Sequence, residues 1–173
     1  MVASRYHIFP WRESESLETG KVILRPTVDV RLVANPGRAR TNALIDTGAP
    51  VTVFPRGIGD KLGIDFPPDG SQGDESVIML DHRWPCVVRT VTLVLPPFDD
   101  LEWEAPVRFA LEEGLPFALL GYEGFLNRWA VSFNAYRGYS VVETIESFDE
   151  RIPVDPWEEF QKDWDGWDRP GSS

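Results

Sequence analysis

The sequence predicts an all-β protein with one or two short helices and an acidic, helical C-terminal tail, and three observations lead there. Apolar residues alternate with their neighbours in short runs: Val28, Val30 and Leu32 around Asp29 and Arg31, and Val91, Leu93 and Leu95 around Thr90, Thr92 and Val94. A period of two is the pattern of half-buried strands. Fifteen prolines and fourteen glycines cut the 173 residues into short segments, and no repeat of about 20 to 50 residues points to an array. With 42% hydrophobic residues, the chain can bury one core as a single domain.

The elements follow from this punctuation in order. Tyr6, Ile8, Phe9 and Trp11 form an aromatic patch ahead of the polar stretch 12–20, so residues 1–20 read as an N-terminal extension. Strands are expected at 22–24, 28–32, 41–45 and 51–54, followed by a short helix at 58–62. Further strands are expected at 77–80, 86–95, 102–109, 116–120, 129–133 and 139–142. Residues 21–145 are read as the folded domain and 146–173 as the tail.

Between two of these strands stands Asp46-Thr47-Gly48-Ala49, flanked by Ala43-Leu44-Ile45 and Val51-Thr52-Val53-Phe54. An apolar run, an acid, a hydroxyl, a glycine and a second β-branched run describe a strand that stops, turns and resumes. Gly48 is expected to take backbone angles closed to other residues, while Asp46 and Thr47 bond neighbouring amides. A carboxylate there is partly desolvated yet reachable by water. An ordinary Asp-Gly turn is the plain alternative: at roughly 5 to 7% usage of each residue, the tripeptide arises by chance in a few per cent of chains of this length.

A second segment, Pro116-Phe117-Ala118-Leu119-Leu120-Gly121-Tyr122-Glu123-Gly124-Phe125-Leu126, reads as a buried strand, a glycine stop and a short helical turn. Together the two segments resemble the retropepsin-like aspartic proteases, the single-lobe, retroviral-type family, over roughly residues 21–143. The resemblance implies a closed β-barrel of the acid-protease fold and aspartic endopeptidase activity on peptide or protein substrates. It makes Asp46 the catalytic carboxylate, supported by Thr47, Gly48 and Ala49, with Thr47 bonding across a dimer beneath the active site. It also lays Leu119, Leu120 and Gly121 against the catalytic turn. Pro50, where viral members often carry an acidic or small polar residue, fixes one dihedral and removes an amide donor without touching the carboxylate.

Length decides what such a site requires. The chemistry uses two carboxylates sharing a proton, since like charges about 3 Å apart cannot both ionise. The chain has one Asp-Thr-Gly, and carrying both loops would take about twice its length. A homodimer is therefore expected, each copy supplying one Asp46 at a two-fold axis. The ionised member would take a proton from a water between the carboxylates while the protonated one polarises the scissile carbonyl, giving a bell-shaped pH dependence.

The family closes its cleft with a β-hairpin flap, placed here between Gly70 and Trp84, with Gly70, Gly73 and Trp84 as candidate flap or substrate-contacting residues. A hairpin without a gating role fits the same residues, and Trp84 fits either a substrate contact or the core at the hairpin base.

Other chemistries find little support. His7 and His82 are the only histidines, and neither has a second ligand at metal-binding spacing, so no metal or cofactor is expected. No nucleophile elbow and no phosphate-cradling glycine loop occurs. Net charge −11 disfavours nucleic acid. No apolar run reaches membrane-spanning length and no signal peptide opens the chain. A single cysteine, Cys86, is expected to pack in the core, and the expected compartment is the cytoplasm. Residues 143–173 hold ten acids against three bases. Within them Trp157, Phe160, Trp164 and Trp167 fall on one face of a helix, a face that docks on a partner or folds back onto the domain. A non-enzymatic binding or dimerisation module using this Trp-rich tail is the rival reading.

Overall fold

The computed structural model describes residues 5–68, 71–79 and 81–151. In chain order the strands are β1 (Tyr6–Pro10), β2 (Arg12–Glu15), β3 (Val22–Arg25), β4 (Thr27–Val33), β5 (Arg38–Ile45) and β6 (Val53–Phe54). Helix α1 (Arg56–Leu62) follows, then β7 (Glu75–Met79), β8 (His82–Val94), a 3-10 turn at Pro96–Phe98, β9 (Glu102–Ala110) and β10 (Ala118–Leu120). The described chain ends with β11 (Trp129–Asn134), β12 (Tyr139–Thr144) and helix α2 (Ile145–Arg151).

Six strands close on themselves in the order β4-β5-β10-β6-β9-β8, and β8 returns to β4 through Arg31↔Val94, Leu32↔Leu93 and Val33↔Thr92. The alternation visible in the sequence sets which side faces in. Val28, Val30 and Leu32 of β4, Val87, Val91 and Leu93 of β8, and Trp103, Ala105, Val107 and Phe109 of β9 fill the interior with Phe54, Leu62 and Phe125. Closure removes sheet edges that would otherwise invite aggregation. The start of β8, before Cys86, reaches beyond the ring and carries β7 on its other side.

A second sheet, β1-β12-β11, caps one end. Phe9, Val142 and Trp129 point to the core, whereas Tyr6 and Ile8 stand about half exposed, at 57% and 50%. The aromatic patch of the first residues is thus a strand, laid antiparallel on β12. The polar stretch after it is partly strand too, since β2 and β3 form a hairpin of their own.

Helix α1 starts two residues earlier than expected, behind Pro55, and stops at Gly63, whose φ of 71° places it in the left-handed cap that glycine favours. The expected strand 51–54 shortens to β6, because Thr52 gives its N–H to Glu123 O (3.1 Å) and Val51 makes only an isolated bridge to Glu123. No helix forms after Gly121. Leu126 and Asn127 reach back five residues to Gly121 O and Tyr122 O, both at 3.0 Å, in a wide turn around Gly124, which sits at φ +97°. No described helix is long and apolar enough to cross a membrane. Trp157, Phe160, Trp164, Trp167 and Gly70 lie outside the described residues.

Candidate active site

Asp46 sits where β5 ends. Ile45 gives its N–H to Pro26 O (2.8 Å) and Asp46 gives its own to Leu120 O (3.1 Å), so the strand is anchored up to the carboxylate. The chain then reverses, with Ala49 N–H on Asp46 O (3.2 Å) and Gly48 N–H on Asp46 Oδ1 (2.9 Å). The loop's own amide therefore orients the carboxylate, an aspartate turn of the expected kind. Asp46 is half-buried, and Thr47 and Gly48 are exposed.

Gly48 does not adopt the left-handed backbone expected of it; the positive-φ glycines lie elsewhere. A Cβ there would lie 3.3 Å from Asp46 Oδ1, a close approach to the oxygen that the Gly48 amide reaches.

Strand β10 is wedged between the two strands flanking this loop, parallel to β5 through Leu120↔Ile45 and antiparallel to β6 through Leu119↔Val53. Leu119, Leu120 and Gly121 thus lie against the turn. Gly121 gives its N–H to the buried Thr52 Oγ1 (3.2 Å). Any Cβ on it would stand 2.3 Å from Val51 O and 2.7 Å from Ala49 O, so only glycine fits this approach. Beyond it Tyr122 N–H reaches Ala49 O (2.8 Å) and Glu123 N–H reaches Pro50 O (3.0 Å). Pro50 costs the loop no hydrogen bond, since its carbonyl is the group used. Thr52, which sequence reasoning passed over as part of a strand, is the side chain that locks the two segments together.

The expected flap region holds a hairpin. β7 and the start of β8 pair through Val77↔Trp84 and Met79↔His82, and Asp81 at the turn has φ 59°. Pairing of β8 with β9 begins only at Cys86↔Ala110, so the tip of the hairpin projects past the ring. Its underside is apolar. Val77, Met79 and Trp84 pack on Val53, Cys86, Ala110 and Leu115, a cluster that Val51 joins from the Asp46 loop. Trp84 is half-buried, its Nε1 has no partner, and the His82 ring meets it edge-on at 4.5 Å. Burial pushes the Cys86 thiol up to about 11, as befits a packing residue. Gly73 lies before the hairpin, at φ +72°, with space for a Cβ blocked by Cys86 O at 2.6 Å. It serves the contact between segment 71–74 and β8.

Arg108 of β9 points to the same side of the sheet and is 7% exposed. Its Nε and Nη2 reach Glu75 at 2.9 and 3.4 Å, and its Nη1 bonds Glu123. Burial works against the charged guanidinium, yet the bonds to Glu75 and Glu123 outweigh it and hold its pKa above the ordinary arginine value. The sequence carries no signal for this burial, since an arginine between the inward Val107 and Phe109 reads as a solvent-facing strand residue, and acceptors from distant segments leave no mark in spacing.

Cavities of about 700, 670 and 660 Å³ open on the described surface, and Asp46 lines none of these. The first of them lies between Trp103, Trp129, Arg128 and the start of α2. Asp46 itself is half-buried beside the exposed Thr47 and Gly48.

No protein-family model and no curated protein matches this sequence. Among solved structures, a retropepsin-like aspartic protease from Rickettsia conorii is similar at a TM-score of 0.50 and 12% identity, covering 83% of this chain and 97% of that one. An EIAV protease complexed with the inhibitor HBY-793 is similar at a TM-score of 0.40 and 19% identity, covering 61% of this chain and 86% of that one. The fold is retropepsin-like, an all-β acid-protease fold.

Proposed function

We propose that this protein is a homodimeric aspartic endopeptidase in which two copies each supply Asp46. The observation that carries the reading is the Asp46 turn, pinned between β5 and β6 by β10 with Gly48 N–H on the carboxylate, in a retropepsin-like fold. A lone half-buried carboxylate is an incomplete site for this chemistry, which needs a second carboxylate about 3 Å away to share the proton.

The surface beside the loop suits a second copy. Pro26, which holds Ile45, follows β3, where Val22, Ile23 and Leu24 are 67%, 39% and 51% exposed on a strand that, among the described residues, pairs with β2 alone. Tyr122, bonded to Ala49, is 63% exposed. Apolar side chains so exposed on a short strand gain by being covered. In the dimer a water between the two Asp46 carboxylates gives a proton to the ionised one and attacks the scissile carbonyl. The protonated partner polarises that carbonyl and then protonates the leaving nitrogen. Thr47, exposed on the loop, bonds across the axis, and the β7–β8 hairpin, seated on the Val53 cluster beside the loop, covers the substrate.

Asp46→Asn tests the reading. Peptide-library cleavage should fall about 10³-fold or more, a loss of roughly 4 kcal/mol of transition-state stabilisation, while sedimentation still shows a folded dimer. A variant cutting at the wild-type rate would remove Asp46 from the chemistry. A wild-type chain that stays monomeric, or a dimer that neither cleaves peptides nor binds pepstatin-like inhibitors, would leave the binding-module reading.

A further inference from the structure

We infer that Arg108 is a positioning residue that couples the β7–β8 hairpin to the Asp46 loop, so that closing the hairpin and ordering the carboxylate turn are one event. The inference rests on the endopeptidase reading for its meaning in catalysis, and on geometry for the link itself.

All three guanidinium nitrogens of Arg108 have carboxylate acceptors, and the two acceptors belong to different segments. Glu75 is the first residue of β7, opposite Cys86 at the root of the hairpin. Glu123 belongs to the turn that clamps the Asp46 loop, giving its N–H to Pro50 O (3.0 Å) and receiving that of Thr52 (3.1 Å). The backbone of Arg108 adds a third tie, its N–H on Thr52 O at 3.0 Å. Thr52 in turn holds Gly121. One residue thus contacts the root of the hairpin, the clamp and the strand leaving the carboxylate loop.

The chemistry makes this link stiff. A guanidinium cannot lose its proton, so at 7% exposure it must keep acceptors. The forked contact to Glu75 fixes direction as well as distance. Neither glutamate is buried to the same degree, with side chains 48% and 41% exposed. Either carboxylate can therefore swing to water while the arginine cannot. With Glu75 turned to water as the hairpin opens from its root, Arg108 is left with Glu123 alone, and the clamp on Pro50 and Thr52 feels the change.

The test uses the full-length protein with Glu75→Gln, Glu123→Gln, the double variant and Arg108→Lys, since truncating Arg108 outright invites unfolding. Amide exchange reads the link without reference to activity. Glu75→Gln should speed exchange about tenfold at Thr52 and Glu123, remote from the hairpin, and Glu123→Gln should do the same at 76–79. In peptide cleavage both single variants should lower kcat as well as raise KM, each by about threefold to tenfold. The double variant should be no worse than the worse single one. Arg108→Lys, which keeps the charge and loses the fork, should resemble the double variant. Exchange changes confined to the mutated segment, or single effects that add fully, would overturn the coupling. Cross-segment exchange changes in a protein that cleaves nothing would sink the endopeptidase reading and leave the coupling standing.

Discussion

The Asp46 loop and the β7–β8 hairpin meet at Val53 and are held by different forces. The loop is tied through main-chain bonds to a second segment: Asp46 to Leu120, Tyr122 to Ala49, Glu123 to Pro50 and Thr52 to Glu123. The hairpin tip has its own cross-strand ladder and is otherwise held by side chains, the Trp84 cluster below it and the Arg108–Glu75 pair at its root. Each main-chain bond is worth about 1 kcal/mol net, but bonds made between two packed segments break together, whereas a two-stranded ribbon alone is marginal in water. The Asp46 carboxylate is thus on the more rigid of the two elements. The element able to admit a ligand is the one whose contacts can be exchanged singly.

Glycine substitutions should break this comparison most strongly. Gly121→Ala drives a Cβ into two carbonyl oxygens of the loop, at 2.3 and 2.7 Å, neither at the end of a flexible side chain. It should cost about 3 kcal/mol of global stability, seen as a clear fall in the melting temperature. Gly73→Ala meets Cys86 O at 2.6 Å from a left-handed backbone, yet segment 71–74 can detach without opening the ring. Its cost should be about 1 to 2 kcal/mol, seen as local amide exchange in 73–77 more than in the melting temperature. Equal losses of melting temperature in the two variants would mean that the hairpin root is as integral as the loop.

Polar substitutions sharpen the contrast by sign. Thr52→Val deletes the Oγ1 that accepts Gly121 N–H and strands a buried donor, a loss of about 1 to 3 kcal/mol. Trp84→Phe removes an indole N–H that is buried without a partner, so it should be neutral or stabilising, within about 1 kcal/mol. Chemical denaturation of the two variants checks both directions. A clearly destabilised Trp84→Phe would show that the indole fills space a phenyl ring cannot.

These contrasts also explain what the sequence made legible. The β class and most of its strands were readable because the inside-outside period in β4 and β8 is local, and the Asp46 turn because its residues are contiguous, whereas closure into a barrel rested on the resemblance. The wedge of β10 between β5 and β6 rested on the resemblance, since pairing across some seventy residues leaves no periodic mark. Thr52 looked like any β-branched strand residue; only the approach of Gly121 turns its hydroxyl into a lock. Arg108 looked like a solvent-facing strand residue between Val107 and Phe109, and its burial against Glu75 and Glu123 is supplied by topology. The reading of Gly48 erred because glycine has two uses, unusual angles and absence of a side chain, and the sequence does not distinguish them. The N-terminal aromatic patch was visible as a patch, while its partner β12 lies at the other end of the chain.

The smallest effect concerns acid, and it separates the two regions by what titrates in each. Segment 71–74 is fastened to β8 by Asp74, whose Oδ2 accepts Val88 N–H (2.9 Å) and a bond from Arg89 (3.0 Å). The Val88 amide first, and Arg89 second, hold the Asp74 carboxyl below its ordinary value of 3.8. A depressed folded pKa contributes stability that is present above 3.8 and disappears as pH falls through the folded value. The fastening should therefore persist at neutral and mildly acidic pH and fail only below about pH 4, before the main-chain bonds of the Asp46 loop, which do not titrate. Exchange at the Val88 amide, followed as pH is lowered and corrected for intrinsic rates, should show a step that Asp74→Asn abolishes. A step of the same size in the variant would assign the acid response to another carboxylate and bring the hairpin root closer in character to the loop.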